Sequence, residues 1–85
     1  MDIPAGWEKG ADGKSISRQW KFDDFVNSLA FVNKLGELAE EANHHPDIEF
    51  GWGYATITFT THDEGNSLSD KDIKMAQWVN DTLVS

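Results

Sequence analysis

Apolar residues in this 85-residue chain change their spacing three times, and that alternation limits the fold more than any other feature. In "SISRQWKF", Ile16, Trp20 and Phe22 fall on one side of a period-2 segment, with Ser17, Gln19 and Lys21 on the other. That is the pattern of a strand with one covered face. From Phe25 the period lengthens. Phe25, Leu29, Val32, Leu35, Leu38, Ala39 and Ala42 recur at three- and four-residue steps, as on an amphipathic helix. Period 2 then returns in Ile48, Phe50 and Trp52 and again in Ala55, Ile57 and Phe59. A second helical stripe closes the chain at Ile73, Ala76, Val79 and Leu83.

The punctuation between these segments supports the same division. Asp12-Gly13 supplies residues that tolerate positive φ, so "WEKGADGKSISRQWKF" reads as a hairpin. Asp23 or Asp24 can cap the first helix, and Pro46 forbids its continuation, so it should run from about 23 to 43. A second hairpin turns near Trp52 to Tyr54. Ser69 and Asp72 have capping-box spacing ahead of the last helix, with Leu68 and Ile73 placed as a hydrophobic staple. The order ββαββα predicts an α+β fold: a two-layer sandwich of one four-stranded antiparallel sheet with both helices on one face. A chain this short is expected to form a single domain over residues 1–85. Arg18 shares the apolar side of its strand and should reach a sheet edge. Thr56, Thr58, Thr60 and His62 share the opposite parity from the covered residues. Should Ile16, Trp20 or Phe50 lie on the uncovered face, association between copies would be expected to hide them.

Charge and composition narrow the partners. A net charge of −8 disfavours nucleic acid and anionic membrane, both of which need a basic footprint. Without cysteine there are no disulfides, no thiolate catalysis and no Cys-ligated zinc. "MDIPAGWEKG" lacks the basic start and apolar run of a signal peptide, and no segment approaches the roughly 20 apolar residues of a membrane span. The expectation is a cytoplasmic domain.

Chemistry concentrates in "AEEANHHPDIEF". Two of the three histidines, His44 and His45, stand where the backbone must turn from helix to strand. Imidazole exchanges protons near neutral pH, and a positioned acid or base supplies about 10²–10⁴-fold in rate. Glu40, four residues before His44, could orient that ring across one helical turn. The same residues also suit a solvated corner, with the histidines bonding the last helical carbonyls. His62 is the third candidate. Asp72 is accounted for by the capping box, and Trp52 suits core or interface as well as a ligand platform. Three histidines with Glu40 or Asp72 could hold a metal, but no zinc-protease-like spacing is present.

Taken together, Glu40, His44-His45-Pro46, Trp52, His62 and the run Leu68-Ser69 through Asp72-Ile73 resemble the pterin-4a-carbinolamine dehydratase family. "GW" at Gly6-Trp7 and "ISRQWKFDDF" are similar to its first hairpin and helix start, so the likeness covers about residues 6 to 83. The resemblance implies dehydration of a 4a-hydroxytetrahydropterin to the quinonoid dihydropterin, which recycles the pterin of aromatic amino acid hydroxylases. It implies no metal and no cofactor, and homodimers or homotetramers that extend the sheet. His44 and His62 would be the acid/base pair, and His45 would bind and orient the pterin. Trp52 and Asp72 would contact substrate, with Asp72 and Glu40 supporting the histidines. Some relatives act instead as dimerisation cofactors of a transcription factor, so a non-catalytic binding module, or service in another pterin or molybdopterin pathway, is the alternative. The chain departs from the common pattern at Trp20, Trp52 and Gly53 and in a slightly longer stretch between His62 and Asp72.

Overall fold

The computed structural model describes residues 2–61 and 67–84. Strands β1 (Glu8–Lys9) and β2 (Ile16–Lys21) precede helix α1 (Phe25–Ala42); β3 (Asp47–Gly51), β4 (Tyr54–Phe59) and α2 (Asp70–Val79) follow. A π-helical turn over Asn80–Val84 extends α2. The sheet is antiparallel throughout, in the order β1-β2-β4-β3. Four strands and two helices make the α+β sandwich that the periodicity predicts.

Local signals act as expected. Gly13 takes φ 72 in the first turn, where Asp12 Oδ1 accepts from the Lys14 N–H at 3.0 Å. Gly53 takes φ 80 in the second turn. Asp24 caps α1, its carboxylate accepting from the Asn27 N–H at 2.9 Å. The register sets Ile16 opposite Phe59, Arg18 opposite Ile57 and Trp20 opposite Ala55, so these share a face, and Ile48 and Phe50 join it from β3. Ile16, Ala55, Ile57 and Phe59 are fully buried there against Leu35, Leu38, Met75, Ala76 and Val79. The concern over Ile16, Trp20 and Phe50 is therefore removed: all three lie under the helices. The open face carries Ser17, Gln19, Thr56, Thr58, Asp47 and Glu49 instead. Arg18 does reach an edge. Its Nη1 donates to Asn80 Oδ1 at 2.9 Å and to the Ala5 carbonyl at 3.1 Å, and its guanidinium lies 4.9 Å from the Trp20 ring centre.

The buried stripe of α1 differs from the expected one. Ser28, Phe31, Leu35, Leu38 and Ala39 are buried, whereas Phe25 and Leu29 are exposed. The first turns of α1 carry apolar residues on two adjoining lines. Phe31 packs on Trp20 at 4.7 Å and Phe22 at 5.3 Å, so its line covers the centre of the sheet. The other line faces the β3 edge, where Phe25 stacks on Phe50 at 5.6 Å. Ser28 can be buried because its hydroxyl donates to the Gly51 carbonyl at 2.7 Å. No helix among the described residues is long and apolar enough to cross a membrane.

Candidate active site

Helix α1 ends in a left-handed residue. Asn43 sits at φ 53, ψ 41, a conformation that asparagine tolerates better than most residues with a Cβ. The Asn43 N–H then bonds the Glu40 carbonyl at 3.3 Å, and the His44 N–H reaches back to the Ala39 carbonyl at 3.2 Å. This Schellman closure satisfies the last carbonyls and turns the chain off the helical path before Pro46. His44 consequently points into the protein, with its side chain 12% exposed.

The partner waiting there is Asp72, which is fully buried. His44 Nε2 lies 2.6 Å from Asp72 Oδ1. The other carboxylate oxygen accepts from the Ser69 N–H at 3.0 Å and the Thr61 hydroxyl at 2.8 Å. Asp72 thus completes the capping box at the start of α2 and holds an imidazole from the end of α1. An ionised carboxylate can only accept, so its hydrogen bond with His44 uses an N–H at Nε2. The ring lies nearly parallel to Phe59, at 10° and 6.0 Å between centres. One imidazole is therefore held by a helix terminus, a buried anion and an aromatic face.

His45 leaves the turn the other way, and Glu40 pairs with it. This corrects the expected Glu40–His44 contact. That contact requires the helix to persist through residue 44, and the left-handed step at Asn43 ends it one residue earlier. Both His45 and Glu40 are largely exposed. His62 lies outside the described residues. Its chain neighbour Thr61 is buried, and its amide and carbonyl exchange hydrogen bonds with Ser67 at 2.9 and 3.2 Å.

Beside His44 opens a cleft of about 390 Å³ between the end of α1 and one side of α2. Asn43, His44, Lys71, Lys74, Met75 and Trp78 contribute to its walls. The four from α2 sit at i, i+3, i+4 and i+7, one continuous stripe on that helix. The size is at the small end of the range for small-molecule sites. Trp52 does not line it. That residue is 73% exposed in the β3–β4 turn, separated from His45 by the whole length of β3. Among the described residues the aromatic side chain that lines this cleft is Trp78. Neither Thr61 nor the wall from α2 was singled out from sequence. Thr61 adjoins His62 in the motif, and the 71-74-75-78 spacing was the available signal for the wall. No group of three His, Asp or Glu residues that could hold a metal occurs among the described residues.

Comparison with known proteins identifies relatives of the whole fold. Residues 1–82 match the family described as pterin 4 alpha carbinolamine dehydratase. A provisionally named pterin-4-alpha-carbinolamine dehydratase of Aromatoleum aromaticum is 51% identical over 70 residues, 82% of this chain and 62% of that relative. One of the same provisional name from Paracoccus denitrificans is 45% identical over 71 residues, 84% of this chain and 65% of its own length. The chain thus spans a little under two thirds of these relatives. Among solved structures, a transcriptional coactivator/pterin dehydratase from Brucella melitensis superposes with a TM-score of 0.81 at 34% identity, over 91% of this chain and 81% of that one. A pterin dehydratase-like protein described as a RuBisCO assembly factor in the alpha-carboxysome aligns with a TM-score of 0.73 at 25% identity, over 89% and 87%.

Proposed function

The chain belongs to the pterin-4a-carbinolamine dehydratase family, and from that membership we propose that it dehydrates a 4a-hydroxytetrahydropterin. The observation that carries the reading is the His44 imidazole, clamped by buried Asp72 at the wall of a cleft. Dehydration needs one proton delivered to the 4a-hydroxyl and one taken from N5. The C4a–O bond breaks as water departs, and the N5 lone pair closes the C4a=N5 bond. Proton gain and loss balance, and the sum is loss of water.

In this proposal His44 and His62 are the acid/base pair, and Asp72 holds His44 in one tautomer and orientation. Thr61 supports the inclusion of His62, because it is the preceding residue and its hydroxyl binds Asp72. His45, held by Glu40, binds and orients the pterin from the rim. No metal or organic cofactor enters these steps. The reaction would return the pterin used by aromatic amino acid hydroxylases. Working assemblies are proposed to be homodimers or homotetramers, supported by the exposure of Phe25, Val26, Leu29, Ile48 and Trp52 on α1, β3 and its turn.

The same exposed side chains favour one alternative, a protein-binding module without catalysis, in line with the assembly-factor description of one structural relative. Stopped-flow measurement of 4a-carbinolamine breakdown separates the two. The dehydratase reading expects acceleration above the spontaneous rate that scales with protein concentration. A rate unchanged by added protein would reject it in favour of the binding module.

A further inference from the structure

Thr61 is 1% exposed, and valine would fill the same space without a hydroxyl to remove from water. Its neighbour Thr60, also buried, uses its hydroxyl structurally, donating to the Lys14 carbonyl at 2.7 Å and tying the chain after β4 to the first hairpin. The Thr61 hydroxyl goes elsewhere. It donates to Asp72 Oδ2 at 2.8 Å. Capping of α2 does not call for that bond, because the carboxylate's part in the capping box is complete once Oδ2 accepts from the Ser69 N–H at 3.0 Å.

The direction of each bond follows from counting protons. Thr61 has one hydroxyl proton, and the carboxylate receives it. Thr61 Oγ1 must then accept from the Ser69 hydroxyl with which it is paired. The bonds run from Ser69 to Thr61 to Asp72, each hydroxyl polarised toward the anion. At its other oxygen, Oδ1, the same carboxylate accepts from His44 Nε2 at 2.6 Å.

A carboxylate in this place needs such a constraint. Rotation about an Asp Cβ–Cγ bond has broad minima, so torsion alone does not aim the oxygens. Held on that side by the Ser69 N–H alone, the group could pivot about Oδ2 and swing Oδ1 away from the imidazole. A second donor from a different segment stops the pivot. Thr61 is suited to supply it: its β-branched side chain has few rotamers, and its N–H and carbonyl exchange bonds with Ser67 at 2.9 and 3.2 Å.

We propose that Thr61 is a positioning residue, whose hydroxyl locks the rotation of the Asp72 carboxylate and through it the aim of the His44 imidazole. Its kinetic consequence rests on the dehydratase reading, its structural consequence on the hydrogen bonds alone.

The test compares Thr61→Val, Thr61→Ser and Thr60→Val in stopped flow, each well below its melting temperature. Thr61→Val should lower kcat about tenfold with KM changed by less than about twofold. Thr61→Ser restores the donor and should return kcat to within about threefold of the unmodified protein. Thr60→Val should lower Tm by about 5 °C yet leave kcat unchanged. In an Asp72→Asn background, Thr61→Val should lower kcat by no more than about twofold further, since no anion is left to aim. Proton NMR supplies a readout independent of turnover. The His44 Nε2–H resonance, downfield and slow to exchange in the unmodified protein and in Thr61→Ser, should shift or broaden in Thr61→Val. If Thr61→Val does not fold, Ser69→Gly carries the comparison: glycine also caps helices, keeps the N–H on Asp72 Oδ2 and removes the hydroxyl that donates to Thr61. It should move the same resonance and lower kcat about threefold. Unchanged kcat and resonance in whichever of these variants folds, equal losses in Thr61→Val and Thr61→Ser, or a full tenfold loss in the Asp72→Asn background would each overturn the proposal. A resonance that responds to Thr61 in a protein that accelerates nothing would remove the dehydratase reading and leave the positioning intact. Acceleration indifferent to Thr61 would do the reverse.

Discussion

His44 Nε2 and Asp72 Oδ1 stand 2.6 Å apart, although 28 residues separate them in sequence. The contact joins the C-terminal turn of one helix to the N-terminal turn of the other, and both turns are shaped by their own caps. Neither group is free to drift, which is what proton transfer at a fixed atom requires. Asp72 therefore serves stability through the cap and the imidazole through its second oxygen.

Substitution at Asp72 separates those roles. Asp72→Asn keeps the shape and one acceptor but presents an amide to His44, so the ring loses its anionic partner. Turnover should fall about 10²-fold or more, while Tm falls by only about 5 °C. Asp72→Ala leaves the Ser69 N–H and the Thr61 hydroxyl unpaired in a buried place, and should cost about 2–3 kcal/mol in a denaturant titration. Equal activity loss with no difference in melting between the two variants would contradict this division.

His44→Ala is expected to lower kcat by about 10²–10⁴-fold. It should also destabilise by about 1–3 kcal/mol, because Asp72 Oδ1 is left buried without its donor. Combining it with Asp72→Asn removes that unpaired charge. The double variant should then be more stable than the sum of the single losses predicts, which a double-mutant cycle measures directly.

Asn43 aims the His44 imidazole through the left-handed turn of its backbone. Asn43→Gly should preserve activity, since glycine enters the left-handed region freely. Asn43→Val must either strain the turn by about 1–2 kcal/mol or move His44. It is expected to lower both Tm and kcat. Unimpaired kinetics in the valine variant would show that the turn does not position the ring.

The outer pair behaves differently. His45 and Glu40 are exposed, so Glu40→Gln should change stability by less than about 0.5 kcal/mol. His45→Ala should raise KM more than it lowers kcat, the signature of a binding group. A loss of kcat as large as that at His44 would move His45 into the proton-transfer pair.

The two exposed tryptophans allow a direct comparison. Trp78 lines the cleft, so Trp78→Ala should raise KM about tenfold through lost stacking. Trp52 stands outside it, exposed in the turn after β3, and Trp52→Ala should weaken self-association in sedimentation with KM changed by no more than about twofold. The opposite pattern would return Trp52 to the substrate site.

Much of this molecule is written locally. The change of period around Phe25 and again at Ile48, the caps at Asp24 and Ser69, the turns at Gly13 and Gly53 and the stop at Pro46 are each decided within a few residues, where helical and strand geometry leave few options. The same short-range rules are why His44, His45, Glu40 and Asp72 could be picked out as candidates. They could not say which acid meets which imidazole. An i, i+4 argument assigns Glu40 to His44, yet one left-handed residue at Asn43 rotates the chain and hands His44 to Asp72. Nor could they show that Lys71, Lys74 and Trp78 border that histidine, or that Phe31 rather than Phe25 covers the sheet. Those facts depend on the insertion of β4 between β2 and β3 and on α2 docking beside the end of α1. Backbone preferences act over a turn or a strand pair, whereas a site assembled from two helix termini exists only once the sheet has set their distance.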